Sequence, residues 1–216
     1  ATQSGSQEKQ WEGRIYDSTK KLVRTFYWKG KPLNLEWNGK DEKGNTAADG
    51  LYAYELACAD EAGNTFSQTV TDIKLDNRLT DAFLVLSTQK ISPNGDGKLD
   101  TLQIKPTLTI NSDLKSWNVK VLRKDDSVYR EWSGKESILP ILWDGKNTQG
   151  QVVDGEYSVT LNVEYQKGDQ YSREVKPVIV DMLAPVASIS LSNDNFSPDN
   201  DGYNDELVFG LNVQDI

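Results

Sequence analysis

Apolar residues fall at alternate positions along much of this chain, the period of a strand with one buried face and one wet face. The clearest run is Tyr157, Val159, Leu161, Val163 and Tyr165, with Ser, Thr, Asn and Glu between them. Strands are predicted on this pattern over residues 82–88, 101–110, 117–123, 128–132, 140–143, 157–165 and 171–180, with Leu84 and Leu86 pointing inward in the first. Turn chemistry separates them: an Asp/Asn/Gly loop at 92–100, Asp125-Asp126, Gly134, a loop at 144–155 and Lys167-Gly168-Asp169. No segment keeps a helical period. About seven short strands with frequent turns predict an all-β fold, an antiparallel β-sandwich of immunoglobulin-like or fibronectin-III-like type.

The same pattern returns about 105 residues later. Asp76–Ser87 realigns on Asp181–Ser192, and Ser92–Ile104 on Ser197–Phe209. Trp37-Asn-Gly39 matches Trp143-Asp-Gly145, and Asp49-Gly50-Leu-Tyr52 matches Asp154-Gly155-Glu-Tyr157. Four blocks in phase at one long period mark tandem domains. The expected division is 1–80, an immunoglobulin-like domain lacking its first strands; 81–185, a complete domain; and 186–216, the opening strands and acidic loop of a third repeat. Residues 186–216 can alternatively serve as a donor segment for a neighbouring chain, because a cut in mid-domain leaves strand edges open. The six tryptophans also fall into repeat pairs: Trp11 with Trp117, Trp28 with Trp132, Trp37 with Trp143. Identical placement in both copies favours a framework role over sugar stacking.

Composition narrows the function. With 24 basic and 33 acidic side chains the net charge is −9, which disfavours nucleic acid and anionic lipid as partners. A single cysteine rules out an intrachain disulfide framework. Cys58 continues the alternating run Tyr52, Tyr54, Leu56 and takes the place of Val163, so it reads as a small core hydrophobe. Histidine is absent, which removes the usual general base and the commonest zinc ligand. A carboxylate-only hydrolase remains the one catalytic class, and no acidic pair stands clear of the turn positions. No enzyme activity is expected. No apolar stretch is long enough to span a bilayer as a helix and no basic-then-apolar leader opens the chain, so no membrane insertion is expected of this segment.

Two motifs carry a family resemblance. The first is Trp143-Asp-Gly145 through Gly150 to Asp154-Gly155-Glu-Tyr157; its earlier copy, Trp37 to Tyr52, is followed by Asp60-Glu-Ala-Gly63-Asn64. This resembles the bacterial immunoglobulin-like repeat named after the flagellar hook-capping protein. The second, Phe196-Ser-Pro-Asp-Asn-Asp-Gly-Tyr-Asn-Asp205, is similar to the signature that opens repeats in large spirochaete and Bacteroidetes surface proteins and in gliding-motility-associated C-terminal domains. Together the resemblances imply a tandem segment of an exported bacterial protein, extracellular or at the cell surface rather than periplasmic.

The candidate site is the acidic loop and its copy. Asn94, Asp96 and Asp100 offer side-chain oxygens and Lys98 a backbone carbonyl; Asp199, Asp201 and Asp205 do the same with the carbonyl of Tyr203. Counted from Ser92 or Ser197, ligands fall at positions 1, 3, 5, 7 and 9, like the start of a calcium loop. Position 12 is Gln103 or Val208, so the bidentate glutamate is missing. Calcium is the expected cofactor if any is held, the alternative being Asx turns that close the corner without an ion. The second loop, with three carboxylates, is the better site. The functional expectation is a non-catalytic structural and interaction segment of a surface or secreted repeat protein: a stalk, fibre or adhesin. Its partners would be adjoining repeats or other copies of itself, joined head to tail by strand addition. The alternative is an accessory module binding a surface glycan or host protein within a larger secreted enzyme or adhesin.

Overall fold

The computed structural model describes the backbone of residues 8–214 and the side chains of 10–213. Every regular element among them is a strand. In chain order they are β1 (Glu8–Asp17), β2 (Leu22–Trp28), β3 (Gly50–Asp60), β4 (Thr65–Leu75), β5 (Ala82–Leu86), β6 (Lys90–Ile91), β7 (Leu102–Leu108), β8 (Leu114–Arg123), β9 (Val128–Gly134), β10 (Ile141–Trp143), β11 (Gly155–Tyr165), β12 (Gln170–Val180), β13 (Val186–Leu191) and β14 (Phe209–Gln214). The chain divides into two compact units, Ala1–Leu79 and Thr80–Ile216.

The second unit holds an immunoglobulin-like sandwich. A three-stranded sheet, β10-β7-β5, faces a five-stranded one, β6-β12-β11-β8-β9. The alternation in β11 buries Tyr157, Val159, Leu161, Val163 and Tyr165 against Val119 and Val121 of β8 and Val178 and Val180 of β12. Ala82 of β5 and Leu102 and Ile104 of β7 cover them from the other sheet. Each fully buried Val, Leu or Ile stabilises such a core by roughly 1.5–3 kcal/mol. Trp143 is 1 % exposed, sits edge-on to Tyr129 and Tyr157, and donates its indole N–H to the Lys146 carbonyl. Gly145 allows this corner to close: its φ is +75°, and a Cβ there would stand 2.7 Å from Pro93 Cγ.

Most predicted strands appear, with shifted ends. The strand at 140–143 starts at Ile141, since Pro140 has no N–H to give a ladder. The strand expected to begin at Trp117 starts three residues earlier at Leu114, whose buried side chain belongs to the core. Strand β6 has no sequence signal; it is two residues pairing parallel to Ile179 and Val180 of β12.

Among the described residues the first unit has a single sheet, β2-β1-β3-β4. It repeats four strands of the second unit with the same partners. Gly13 faces Leu56 as Val119 faces Leu161, and Ile15 faces Tyr54 as Val121 faces Val159. The bulge between Tyr52 and Tyr54 against β4 recurs between Tyr157 and Val159 against β12. The tryptophans are conserved in role only in part. Trp37 donates to the Lys40 carbonyl as Trp143 does to that of Lys146. Trp28 lies opposite Trp11, whereas Trp132 lies opposite Val119 and Trp117 opposite Gly134. Cys58 faces Trp11 as Val163 faces Trp117, but it is half-buried rather than a core residue, because no second sheet covers it among the described residues.

The loop after each Trp-x-Gly corner is closed by one side-chain oxygen. Asn147 Oδ1 accepts the amides of Gln149 and Gln151, both at 2.9 Å. Asp41 Oδ1 accepts those of Lys43 and Asn45 at 2.9 and 2.8 Å. The Asn45 amide, more than any other group, holds the Asp41 carboxyl below the usual carboxylate range. A depressed folded pKa means that the contribution to stability is complete above the unfolded value of about 3.9 and is lost as pH falls through the folded value. Amide chemical shifts should therefore show an acid inflection at Asn45 centred below pH 3.9 and none of that origin at Gln151, whose capping Asn147 does not titrate. Asp41→Asn should abolish the first inflection; its persistence would refute the assignment.

Candidate functional site

The two acidic loops share the same backbone-amide bonds. In the first, Asp100 accepts the amides of Gly95 and Gly97, Asn94 that of Asp96, and Asp96 that of Lys98. In the second, Asp205 accepts those of Asn200 and Gly202, Asp199 that of Asp201, and Asp201 that of Tyr203. Asx turns thus define both loops. Carboxylate oxygens of Asp199, Asp201 and Asp205 lie within 4.8 Å of one another, the spacing that a hard cation bound by oxygen would need. The first loop brings together two carboxylates and the amide of Asn94, as its sequence dictates. Lys98 and Tyr203 take part through their backbone N–H groups; the Tyr203 ring points to solvent.

A second feature has more surface and less polar chemistry. The face of the first unit's sheet that corresponds to the sandwich core is only partly covered: Ile15 and Tyr52 on it are 3 % and 5 % exposed, but other positions are open. Val119, Val121, Val159 and Leu161 are 0 % exposed in the second unit. On the matching face of the first, Phe66 is 47 % and Val70 55 % exposed, and Tyr54, Leu56 and Cys58 are half-buried. Part of this face covers itself: Tyr54 and Trp28 fold over Gly13, whose missing Cβ leaves room for their rings. The remainder is a groove of about 490 Å³ lined by Ile15, Leu33, Leu35, Trp37, Tyr54, Val70 and Ile73. Residues 35–37 match β10 but form no strand. In the second unit β10 exists as a strand because β7 pairs with it, Ile141 to Ile104 and Trp143 to Leu102.

The third feature is the hairpin β13–β14, two strands that pair only with each other among the described residues. It copies β5–β7 with a constant offset of 105. Ala187 faces Val213 as Ala82 faces Leu108, and Leu191 faces Phe209 as Leu86 faces Ile104. The ladder ends in the same two bonds, Ser192 N–H to the Val208 carbonyl and Val208 N–H to Ser192 Oγ, matching Ser87 and Gln103. Only the surroundings differ. Ile104 is fully buried, whereas Phe209 is 59 % exposed, and Ile189, Leu211 and Val213 are exposed with it. This exposed apolar hairpin was legible as a repeat; the partly open sheet face was legible only through the alignment of the copies.

No protein-family model and no curated protein matches the sequence. Among solved structures, the chain is similar to a tetra-tandem repeat in the extending region of a large adhesion protein, at 14 % identity and a TM-score of 0.39, over 97 % of this chain and 56 % of that one. It is also similar to dimeric latent PorU from Porphyromonas gingivalis, at 12 % identity and a TM-score of 0.38, over 83 % of this chain and 16 % of that one. The chain therefore spans little more than half of the first of these and a small part of the second.

Proposed function

We propose that this chain is a non-catalytic structural and interaction segment of a bacterial surface or secreted repeat protein, a stalk, fibre or adhesin, whose units are completed by strands from an adjoining repeat or another copy. The observation that carries this reading is the contrast between two equivalent sheets, one sealed by β5, β7 and β10 and one covered only in part, with Phe66 and Val70 open. An apolar face of that kind is a protein-binding surface. The motif resemblance to hook-capping and gliding-motility repeats supports an exported setting. The absence of histidine and the use of loop carboxylates as turn caps support a role without catalysis.

Strand addition makes assembly obey mass action. Sedimentation velocity of the 216-residue chain over a hundredfold concentration range should show weight-average mass rising with concentration. A mass fixed at 24.2 kDa across that range would overturn the reading.

Calcium at the acidic loops belongs to the same proposal, with Asp199, Asp201 and Asp205 as the stronger set and Asn94, Asp96 and Asp100 as the weaker. The ion would cross-link a loop already shaped by Asx turns and stiffen the repeat junction. At a calcium concentration of 100 Kd, linkage adds about 2.7 kcal/mol to the unit that binds. Calorimetric titration with calcium should give binding that Asp201→Asn weakens at least tenfold, while Asp96→Asn leaves the stronger site intact. No heat and no shift in Tm at 10 mM calcium would remove the ion from this account.

A further inference from the structure

We propose that the first unit carries a pocket for the side chain of a tyrosine supplied by a partner protein, in the place that Tyr129 fills within the second unit. The site uses no strand edge and neither acidic loop, and it goes beyond the strand-addition reading.

Both units carry a bulge at the same point of the strand that edges the sheet. In the second, Val121 pairs with Arg130 and Leu122 with Val128, so Tyr129 is the extra residue. In the first, Ile15 pairs with Arg24 and Tyr16 with Leu22, and the extra residue is Val23. A bulge re-aims its side chain, and Tyr129 turns into the loop after Trp143, where it is 1 % exposed. Its ring centroid lies 4.6 Å from that of Tyr157 and 6.0 Å from that of Trp143. Val23 has no ring to put there. Trp37 and Tyr52, the other two members of the cluster, stand 5.1 Å apart, against 6.0 Å for Trp143 and Tyr157. That approach is too small to take up the space of a third ring. A pocket of about 510 Å³ lies between Leu22, Val23, Asn45, Ala47, Ala48 and the buried Tyr52. It follows from one side chain on a strand that both units possess, and all of its lining falls within residues 17–52.

The polar groups that hold the Tyr129 hydroxyl have counterparts here. That hydroxyl lies 3.0 Å from the carbonyls of Gly145 and Gln151 and accepts the Val153 amide at 3.1 Å. The first unit's loop is one residue longer between Gly39 and Asp49 than its copy between Gly145 and Asp154. The extra residue, Ala47, donates its amide to the Gly39 carbonyl at 2.8 Å and takes up that acceptor. The other two positions stay open to a ligand. The Asn45 carbonyl accepts the Asp41 amide, as that of Gln151 accepts the Asn147 amide, and keeps a lone pair. Ala48 matches Val153, because the carbonyl of each accepts the hydroxyl of Tyr52 or Tyr157. The Ala48 amide has no protein acceptor among the described residues. One donor and one acceptor beside an apolar pocket suit a phenol hydroxyl, which accepts and donates.

Charge narrows the ligand. Asp17, Asp41 and Glu42 outnumber Lys21 and Lys43 around the mouth, and Asp17 matches Arg123, whose guanidinium lies over the Tyr129 ring. A phosphotyrosine or an aromatic acid would meet net negative charge, so the ligand is the neutral side chain. Tyrosine brings contact area and a polar tip at small entropic cost, which suits a protein–protein contact.

Solution NMR of the full chain tests the site with p-cresol, which is the tyrosine side chain as a free molecule, and with N-acetyltyrosinamide. Both should shift the amides of Val23, Asn45 and Ala48 saturably and leave that of Val153, where Tyr129 is in place, unmoved. Toluene and N-acetylphenylalaninamide lack the hydroxyl and should bind at least about tenfold more weakly. Val23→Tyr should fill the pocket with the chain's own ring, abolish the p-cresol shifts and raise the thermal midpoint of the first unit. No saturable shift at those three amides up to about 50 mM p-cresol would overturn the proposal. So would toluene binding as tightly as p-cresol, or shifts that persist in a folded Val23→Tyr variant. Should that variant not fold, the comparison of p-cresol with toluene decides alone. Binding of p-cresol with N-acetyltyrosinamide shut out would make the ligand a free phenol and overturn the protein partner. Strand addition is read from mass and stands or falls separately.

Discussion

A sheet with one apolar face is stable in water only when that face is covered, and this requirement organises the whole chain. The second unit meets it internally. Tyr157, Val159, Leu161 and Val163 make up one side of a core whose other side comes from Ala82, Leu102 and Ile104. The strands that provide this cover are short, and β10 has only three residues. They persist because each buries side chains on a sheet laid down by β8, β11 and β12. Where the cover is missing, the consequence is visible at once: residues 35–37, matching β10, carry no strand at all.

The same requirement explains why the polar chemistry of this chain is architectural. Tyr129 shows it best. Its ring is buried against Trp143 and Tyr157, and its hydroxyl lies 3.0 Å from the carbonyls of Gly145 and Gln151 while accepting the Val153 amide. Tyr157 donates to the Val153 carbonyl, and burial, followed by the contact with Tyr129, pushes its phenol well above the ordinary range. A phenol held that way stays protonated and serves as a clamp on the loop. Arg130 donates to the Asn147 carbonyl from the other side, as Arg24 does to those of Lys40 and Asp41. Acidic residues close turns by accepting the backbone amides of neighbouring loop residues, so their carboxylates are already engaged before any ligand arrives.

Much of this was legible in the sequence, for physical reasons that differ by element. Strand β11 announced itself because every second residue from Tyr157 to Tyr165 enters one core. The offset of 105 marked residues 186–216 as a copy of the strands that open the second domain, and the pairing of β13 with β14 repeats that of β5 with β7 at that offset. The acidic loops were legible because Asx turns depend on local spacing alone. Other features depend on distant partners and left no local trace. Strand β6 is two residues held by β12 from far along the chain. The exposure of Cys58 reflects strands absent from its face, not its own alternating run. The Tyr129 clamp has no counterpart in the first copy, where Val23 occupies its place in the β2 ladder, so comparison of the repeats could not reveal it.

The most direct test of the account is hydrogen exchange resolved by residue, followed as protein concentration rises. If the first unit's face is completed by strands of another copy, amides at Leu35–Trp37 should slow in proportion to the associated fraction. Amides of β7 and β10, already paired within one chain, should not change. Exchange at residues 35–37 that stays fast at every concentration would contradict it.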